Sequence, residues 1–554
     1  MTDRRSPWFA SYAPVFGLLV LGVVLRLAGA SAHWQWFDRE HPSLWETSKL
    51  ELSQDANQYI QQADPHTWAS PLHWKWTNRT YFRPPLASYY FVGLFRAVRF
   101  DRMLAASVQA GLAALAYLLL FLSARRVFGR GIALGTLAVV ALHPVLMFYD
   151  VSFEDSTLAL ALLSATIYGA LWARDGRAAR WLVPGTAAGL AILARPNLLV
   201  VAAGMMVLAA AWSTKPRARV LGVLLVAYVG LMTPVLWHNY SRSGRVVPVA
   251  DSAGQNLYWG NGPLSDYRVT IQGYWNIREV DRGSPADLLT EGLKDRTGKQ
   301  FAEDAYRSAA LDFMAEHPAS ALGHLLTKAW RHLSTYEIPR NTDFEILRNS
   351  VLVWRFPFAP FAAILVLAFV GLHGFDRRLG WLFLLPWLAA VFSEVLFFNA
   401  SRYRAICIPF LVPLALRGLL LGFQVVRERR WRALAAGGLV VVFAIAAGAL
   451  AVPASERARY AAVDRFKAAM LQSYADEDGV WLRISDPQFM ADLGASLRLD
   501  PDNLDAFTVA QKHLIGEGKA DQSFAEVAER ERRCHGDDWL CHAACDYLRM
   551  AMGR

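Results

Sequence analysis

Long apolar runs separated by short polar or basic clusters recur along most of this chain. A helix rises about 1.5 Å per residue, so a run of roughly 20 apolar residues matches the ~30 Å hydrocarbon core of a bilayer. Such runs lie near 12–31, 103–124, 131–149, 156–173, 181–195, 197–213, 218–238, 351–372, 380–398, 404–424 and 433–452. The pattern predicts an all-α polytopic membrane protein with about eleven transmembrane helices, 181–195 being the shortest of the runs. Residues 1–452 then form a transmembrane domain, interrupted by a first loop at 32–102 and a large loop at 239–350. Residues 453–554 read as a separate charged, soluble, helical domain.

Basic residues orient the spans. With the N-terminus inside, the inner segments hold Arg4 and Arg5; Arg125, Arg126 and Arg130; Arg174, Arg177 and Arg180; Lys215, Arg217 and Arg219; Arg377 and Arg378; and Arg427, Arg429, Arg430 and Arg432. The short outer turns hold only Arg195 and Arg402. That asymmetry is the positive-inside pattern, and it places the two long loops and the tail outside. It also accounts for the net charge of +10 without nucleic acid, because the cations sit between apolar runs. The first run ends at Ala30-Ser31-Ala32, a sequence that also fits a signal-peptide cleavage site.

Composition adds little to the class: 54% of the 554 residues are hydrophobic, as many spans require. The 20 Trp and 19 Tyr suit interfacial belts and sugar-stacking surfaces equally. Cys407 lies in an apolar run and reads as a core residue. Cys534, Cys541 and Cys545 cluster near the end, where a disulfide is open in an oxidising compartment, although their spacing with His535 and His542 fits no zinc pattern. The stretch Leu499-Asp500-Pro501-Asp502-Asn503-Leu504-Asp505-Ala506-Phe507 reads equally as the start of a tetratricopeptide-type unit or as part of a small helical cap, since stacked repeats need several copies.

The first outer loop carries the candidate chemistry. It holds Gln54-Asp55-Ala56-Asn57-Gln58-Tyr59, then Tyr81-Phe82-Arg83-Pro84-Pro85-Leu86. Asp55 and Tyr59 are four apart and share a face if the stretch is helical. The proline pair ends one element and starts an apolar run over 86–98 that suits an interfacial helix. The residues by themselves give a carboxylate near the membrane surface, or equally a helix cap.

An Asp-Ala-x-x-Tyr loop followed by an aromatic-x-x-Pro-Pro-Leu element resembles the GT-C membrane glycosyltransferases, above all the protein O-mannosyltransferase-like family 39 and the lipid A aminoarabinose transferases. Other stretches agree in order: Phe153-Glu154-Asp155, Leu193-Ala194-Arg195-Pro196-Asn197, Asn256-Leu257-Tyr258-Trp259-Gly260-Asn261, Tyr336-Glu337-Ile338-Pro339-Arg340-Asn341 and Ser401-Arg402-Tyr403-Arg404. The resemblance covers residues 10–425 and implies that the first span is a retained anchor. It implies Asp55 as the catalytic carboxylate and a polyprenyl-phosphate-linked sugar as donor. Arg83, where relatives often carry an acidic residue, Lys or His, is a departure that removes one carboxylate able to bind metal or acceptor.

On that reading Asp55 is the general base, and the configuration inverts. Arg83, Arg195, Arg402 and Arg404 are candidates to hold the departing phosphate, against ordinary snorkelling. Asp155 and Glu154 are candidates to assist Asp55, bind acceptor or hold a divalent cation such as Mg²⁺ or Mn²⁺, or else to cap the next span. Glu337 and Asn341 either face the same cavity or form a polar turn, and Tyr59 and Tyr81 stack on sugar or belong to the belt. No tightly bound organic cofactor is expected. The expected partners are the donor lipid, a glycan, lipid or protein acceptor, and membrane lipids. The expected location is a bacterial inner membrane with a periplasmic site. A transporter or flippase for the same lipid is the alternative, and a non-catalytic scaffold is a third reading. The sugar and the acceptor stay open.

Overall fold

The computed structural model describes residues 7–40, 80–212, 216–262, 299–340, 344–458, 460–462, 494–498, 507, 510–511 and 520–533. Among these the regular structure is helical, with no β-strand. The helices are α1 (Pro7–Glu40), α2 (Pro85–Ala97), α3 (Arg102–Phe128), α4 (Arg130–Leu142), α5 (Pro144–Val151), α6 (Ser156–Ala173), α7 (Leu182–Ala194), α8 (Leu199–Trp212) and α9 (Arg217–Ser243). They continue as α10 (Ala253–Asn261), α11 (Lys299–Glu316), α12 (Pro318–Arg331), α13 (Phe344–Ser350), α14 (Phe361–Gly371), α15 (Arg377–Leu396), α16 (Ser401–Arg427), α17 (Trp431–Leu450) and α18 (Ala520–Arg533).

All eleven apolar runs appear as helix, but they are not eleven straight spans. Among the described residues six helices are long and apolar enough to cross a membrane alone, eight if each of two bent pairs is one span. Proline explains the difference, because it lacks the N–H that continues a helix. His143-Pro144 bends α4 against α5 by 64°. At Arg195-Pro196 the backbone is extended, with φ −154° at Arg195, so the runs 181–195 and 197–213 become two short helices. Pro357 and Pro360 confine regular helix in 351–372 to α14, after a short 3₁₀ turn at Leu352–Arg355.

Local signals set several ends. Asp101 accepts from Leu104 N at 2.9 Å and caps α3, which closes at Gly129 with φ +87°. Asp376 caps α15 by accepting from Arg378 N at 2.8 Å. The core lies between α1, α3, α5, α6, α14 and α16. Backbones of α14 and α16 touch at paired glycines: a Cβ on Gly371 would sit 2.0 Å from Leu414 O, and one on Gly418 2.1 Å from Leu367 O. Small residues permit such approach where lipid supplies no hydrophobic drive between helices.

The first span packs into the bundle through a buried charge that the sequence reading passed over. Arg26 Nε donates to Asp150 Oδ2 at 2.8 Å, Tyr117 OH donates to the same oxygen at 2.6 Å, and Arg26 Nη2 donates to Val140 O at 3.0 Å. Both charged residues are buried. The carbonyls freed where α4 ends at the proline bend thus meet a cation from α1. The tetratricopeptide stretch has only Phe507 among the described residues, and Cys534, Cys541 and Cys545 lie outside them. Cys407 is buried in α16, as expected.

Removing one partner of a buried ion pair leaves an uncompensated charge, at a cost of about 3–5 kcal/mol. Arg26→Met or Asp150→Asn should therefore lower the unfolding temperature of the purified protein strongly, and Arg26→Met with Asp150→Leu should recover much of the loss. Thermal unfolding in detergent followed by circular dichroism checks this; equal losses for single and double variants would contradict it.

Candidate active site

Three interhelical turns meet at one end of the bundle. Glu154 and Asp155 lie between α5 and α6, Arg195 between α7 and α8, and Arg402 in the first turn of α16. The first turn is fixed by Phe153, which is fully buried with its ring centroid 5.0 Å from that of Phe95 and 5.8 Å from that of Trp34. The second is tied to α15 by Asn197 Nδ2, which donates to Ser393 Oγ. Arg195 Nη2 lies 3.0 Å from Asp155 Oδ1, and Arg402 Nη1 lies 3.9 Å from Glu154 Oε2. The Tyr403 ring sits beside both cations, 5.1 Å from the Arg195 guanidinium and 5.6 Å from that of Arg402. Arg195 is only 4% exposed, and its Nη1 has no hydrogen-bond partner among the described residues. Sequence distant residues thus form two guanidinium–carboxylate pairs around one aromatic ring.

Arg404 takes a different role from the one expected of it. Its guanidinium is buried and donates to Ser334 O at 2.6 Å, Tyr336 O at 2.9 Å, Ser401 Oγ at 2.8 Å and Glu337 Oε2 at 3.2 Å. Those donors are occupied, so the phosphate-facing reading of Arg404 gives way to a structural one. Glu337 is buried as the partner of this arginine instead of lining open space.

Tyr81 and Arg83 stand at the entry to α2. Tyr81 N donates to Asn239 Oδ1 at 2.9 Å, its carbonyl accepts from Asp251 N at 2.7 Å, and its hydroxyl lies 3.3 Å from that of Tyr89. Burial is the main cause that raises the Tyr81 phenol above its ordinary pKa, so it stays a neutral donor. Arg83 is half-buried, with its guanidinium 5.9 Å from the Phe82 ring. The neighbouring Leu86 packs with Ile192 and Leu193 at the end of α7, which brings the Pro84-Pro85 element to the Arg195 turn. Asp55, Tyr59 and Asn341 lie outside the described residues.

Glu154 and Asp155 are the candidates expected to hold a divalent cation. Each carboxylate faces a guanidinium, and among the described residues no three His, Cys, Asp or Glu side chains come together. A dication would add positive charge where two arginines already supply it.

Behind the turns runs a polar network that sequence reasoning missed. Trp387 Nε1 donates to His332 Nε2 at 3.0 Å, so the ring proton lies on Nδ1, which donates to Glu394 Oε2 at 3.0 Å. Asn399 Nδ2 donates to Glu394 Oε2 at 3.0 Å and to Lys328 O at 2.9 Å. Lys328 Nζ donates to Asn261 Oδ1 at 2.7 Å, Gly260 O at 2.9 Å and Phe397 O at 3.1 Å, joining α10 to the α15–α16 turn. Glu394 and Arg26 carried a signal: each is a lone charge inside an apolar run, which marks a position with a dedicated partner. His332 and Lys328 carried none, because they sit among ordinary loop polar residues.

Residues 83–238 match the family model described as dolichyl-phosphate-mannose-protein mannosyltransferase. The matched stretch holds Arg83, Glu154, Asp155 and Arg195. That match spans a little over a quarter of the chain. The comparison with curated protein sequences found no match to this chain. Among solved structures it is similar to ArnT from Cupriavidus metallidurans bound to undecaprenyl phosphate, at 16% identity and TM-score 0.40, covering 97% of this chain and 85% of that one. It is also similar to the Archaeoglobus fulgidus oligosaccharyltransferase in the apo form, at 15% identity and TM-score 0.40, covering 89% of this chain and 60% of that one. The Archaeoglobus fulgidus enzyme AglB in complex with an inhibitory peptide and a dolichol-phosphate gives 13% identity and TM-score 0.39, covering 93% and 60%. At these scores no residue is placed in correspondence.

Burial lowers the Lys328 ammonium to about 7. The unfolded chain keeps that proton up to the ordinary lysine pKa of about 10.4, so between about pH 7 and pH 10 unfolding takes up protons and stability rises with pH. Lys328→Met should flatten this slope. Thermal unfolding across that pH range checks it, and an unchanged slope in the variant would refute the assignment.

Proposed function

We propose that this protein is a glycosyltransferase that inverts the configuration of a sugar as it moves it from a polyprenyl-phosphate carrier to an acceptor hydroxyl at the outer face of the membrane. The observation that carries the reading is Arg195. Its guanidinium is buried, steered by Asp155 through Nη2, and keeps Nη1 without a hydrogen-bond partner among the described residues. A buried, pre-oriented guanidinium suits a phosphate that gains charge as it leaves, because donors fixed in advance need no reorganisation. Arg402, with Glu154 beside it, supplies a second fixed cation, and Arg83 a third from the α2 entry. The family description that matches 83–238 names a dolichyl-phosphate sugar, which is the same class of donor.

In the proposed step the acceptor oxygen attacks the anomeric carbon from the side opposite the phosphate. The acceptor proton passes to the Asp55 carboxylate. The bond from anomeric carbon to phosphate oxygen breaks, and the carrier leaves with the electron pair as polyprenyl phosphate. Asp155 and Glu154 act as positioning residues for the arginines. The Lys and Arg asymmetry supports an N-terminus inside and a site outside, and the polyprenyl-type donor goes with a bacterial inner membrane or its endoplasmic reticulum equivalent. The acceptor is a glycan, a lipid or a protein hydroxyl.

Transfer is best measured with the purified chain in nanodiscs, a synthetic polyprenyl-phosphate sugar and mass spectrometry of products. Asp55→Asn should lower turnover by about 10²–10⁴-fold with an unchanged unfolding temperature. Arg195→Met should weaken carrier use and Asp155→Asn should do so less, since it removes only the orienting partner. Wild-type turnover in Asp55→Asn would sink the proposal.

A further inference from the structure

The helix α12 exposes a row of large apolar side chains on one face. Leu322, Leu326 and Trp330 follow at intervals of four and are 57%, 62% and 49% exposed. The charged residues of the same helix, Lys328 and Arg331, are buried on its other side. An outer-loop helix in water would carry the opposite arrangement.

Two contacts place this helix at the rim of the membrane-crossing bundle. Trp330 Nε1 donates to Ala447 O at 3.0 Å, and just beyond α12 Thr335 N donates to Gly448 O at 3.2 Å. Gly448 permits that approach, since a Cβ there would lie 2.3 Å from Leu333 O. Ala447 is one turn short of the end of α17, about 5 Å along the axis, and α17 belongs to a bent pair apolar enough to cross a membrane. Trp favours the membrane–water interface, with its ring in apolar surroundings and its N–H satisfied. On α17 itself Leu439, Val442 and Phe443 are 69%, 62% and 72% exposed, so the two apolar surfaces join.

We infer that α12 is an interfacial helix whose Leu322, Leu326 and Trp330 row is seated in the acyl-chain boundary of the surrounding phospholipid. Its buried side holds the turn that presents Arg402: Lys328 Nζ donates to Phe397 O at 3.1 Å, and Asn399 Nδ2 donates to Lys328 O at 2.9 Å. One helix thereby ties the level of the lipid surface to the level of the site cations.

The test uses the full chain in nanodiscs of phosphatidylethanolamine and phosphatidylglycerol. The photoreactive residue p-benzoylphenylalanine replaces Leu326 in one preparation and Ser320, an exposed residue in the first turn of α12 about 120° round the helix, in the other. Phospholipid adducts on the peptide carrying position 326 should exceed those at position 320 several-fold. Equal adducts at both positions, crosslinks only to other peptides of this chain, or adducts only to added polyprenyl phosphate would each overturn the inference. Independently, Trp330→Phe should remove part of the tryptophan quenching by acyl-brominated phospholipid; unchanged quenching would count against the seat in lipid.

Discussion

The end of the bundle that carries the site is held together by one buried cation. Arg404 reaches from the first turn of α16 to two carbonyls at 334 and 336, to the Ser401 hydroxyl and to the Glu337 carboxylate. A buried guanidinium is tolerable only when its donors are met, and its planar fork meets several acceptors at fixed angles. The segment after α12 is therefore locked to α16. The His332, Glu394 and Asn399 network adds a second tie from the same segment to α15. Arg402 emerges two residues before Arg404 and inherits that rigidity.

Around this anchor the protein places cations by opposing them with carboxylates. Arg195 faces Asp155, Arg402 approaches Glu154, and Tyr403 lies beside both arginines. Each carboxylate lowers the cost of burying its cation and also restrains its rotamers. The arrangement is nearly neutral without a ligand. The guanidinium orientations are set by the protein itself.

The same economy of buried charge governs the membrane-crossing part. Proline bends leave carbonyls without helical partners, and at the α4–α5 bend Arg26 meets two of them, Val140 O and Ala141 O, together with Asp150. Asp150 is five residues before Asp155, so the clamp inside the bundle and the site turn are parts of one short segment. Irregular backbone at membrane depth persists only where protein satisfies it.

Apolar run length and the distribution of Lys and Arg were enough to give the helical membrane class, the position of each run and the turns that hold Arg195, Arg402, Glu154 and Asp155. Those properties are local: bilayer thickness sets the length of a run, and charge seeks the water at its ends. Straightness of the spans was less legible, since a proline permits either a bend or a break until neighbours supply hydrogen bonds. Which arginine is enclosed by backbone carbonyls was not legible. Arg402 and Arg404 stand in one Arg-Tyr-Arg turn, yet the helix turns them to different surroundings, one beside Glu154 and the other into the carbonyls of 332–336. Pairing across more than sixty residues of sequence, as for Arg404 with Glu337 or His332 with Glu394, depends on which turns the packed helices bring together, and only the tertiary structure decides that.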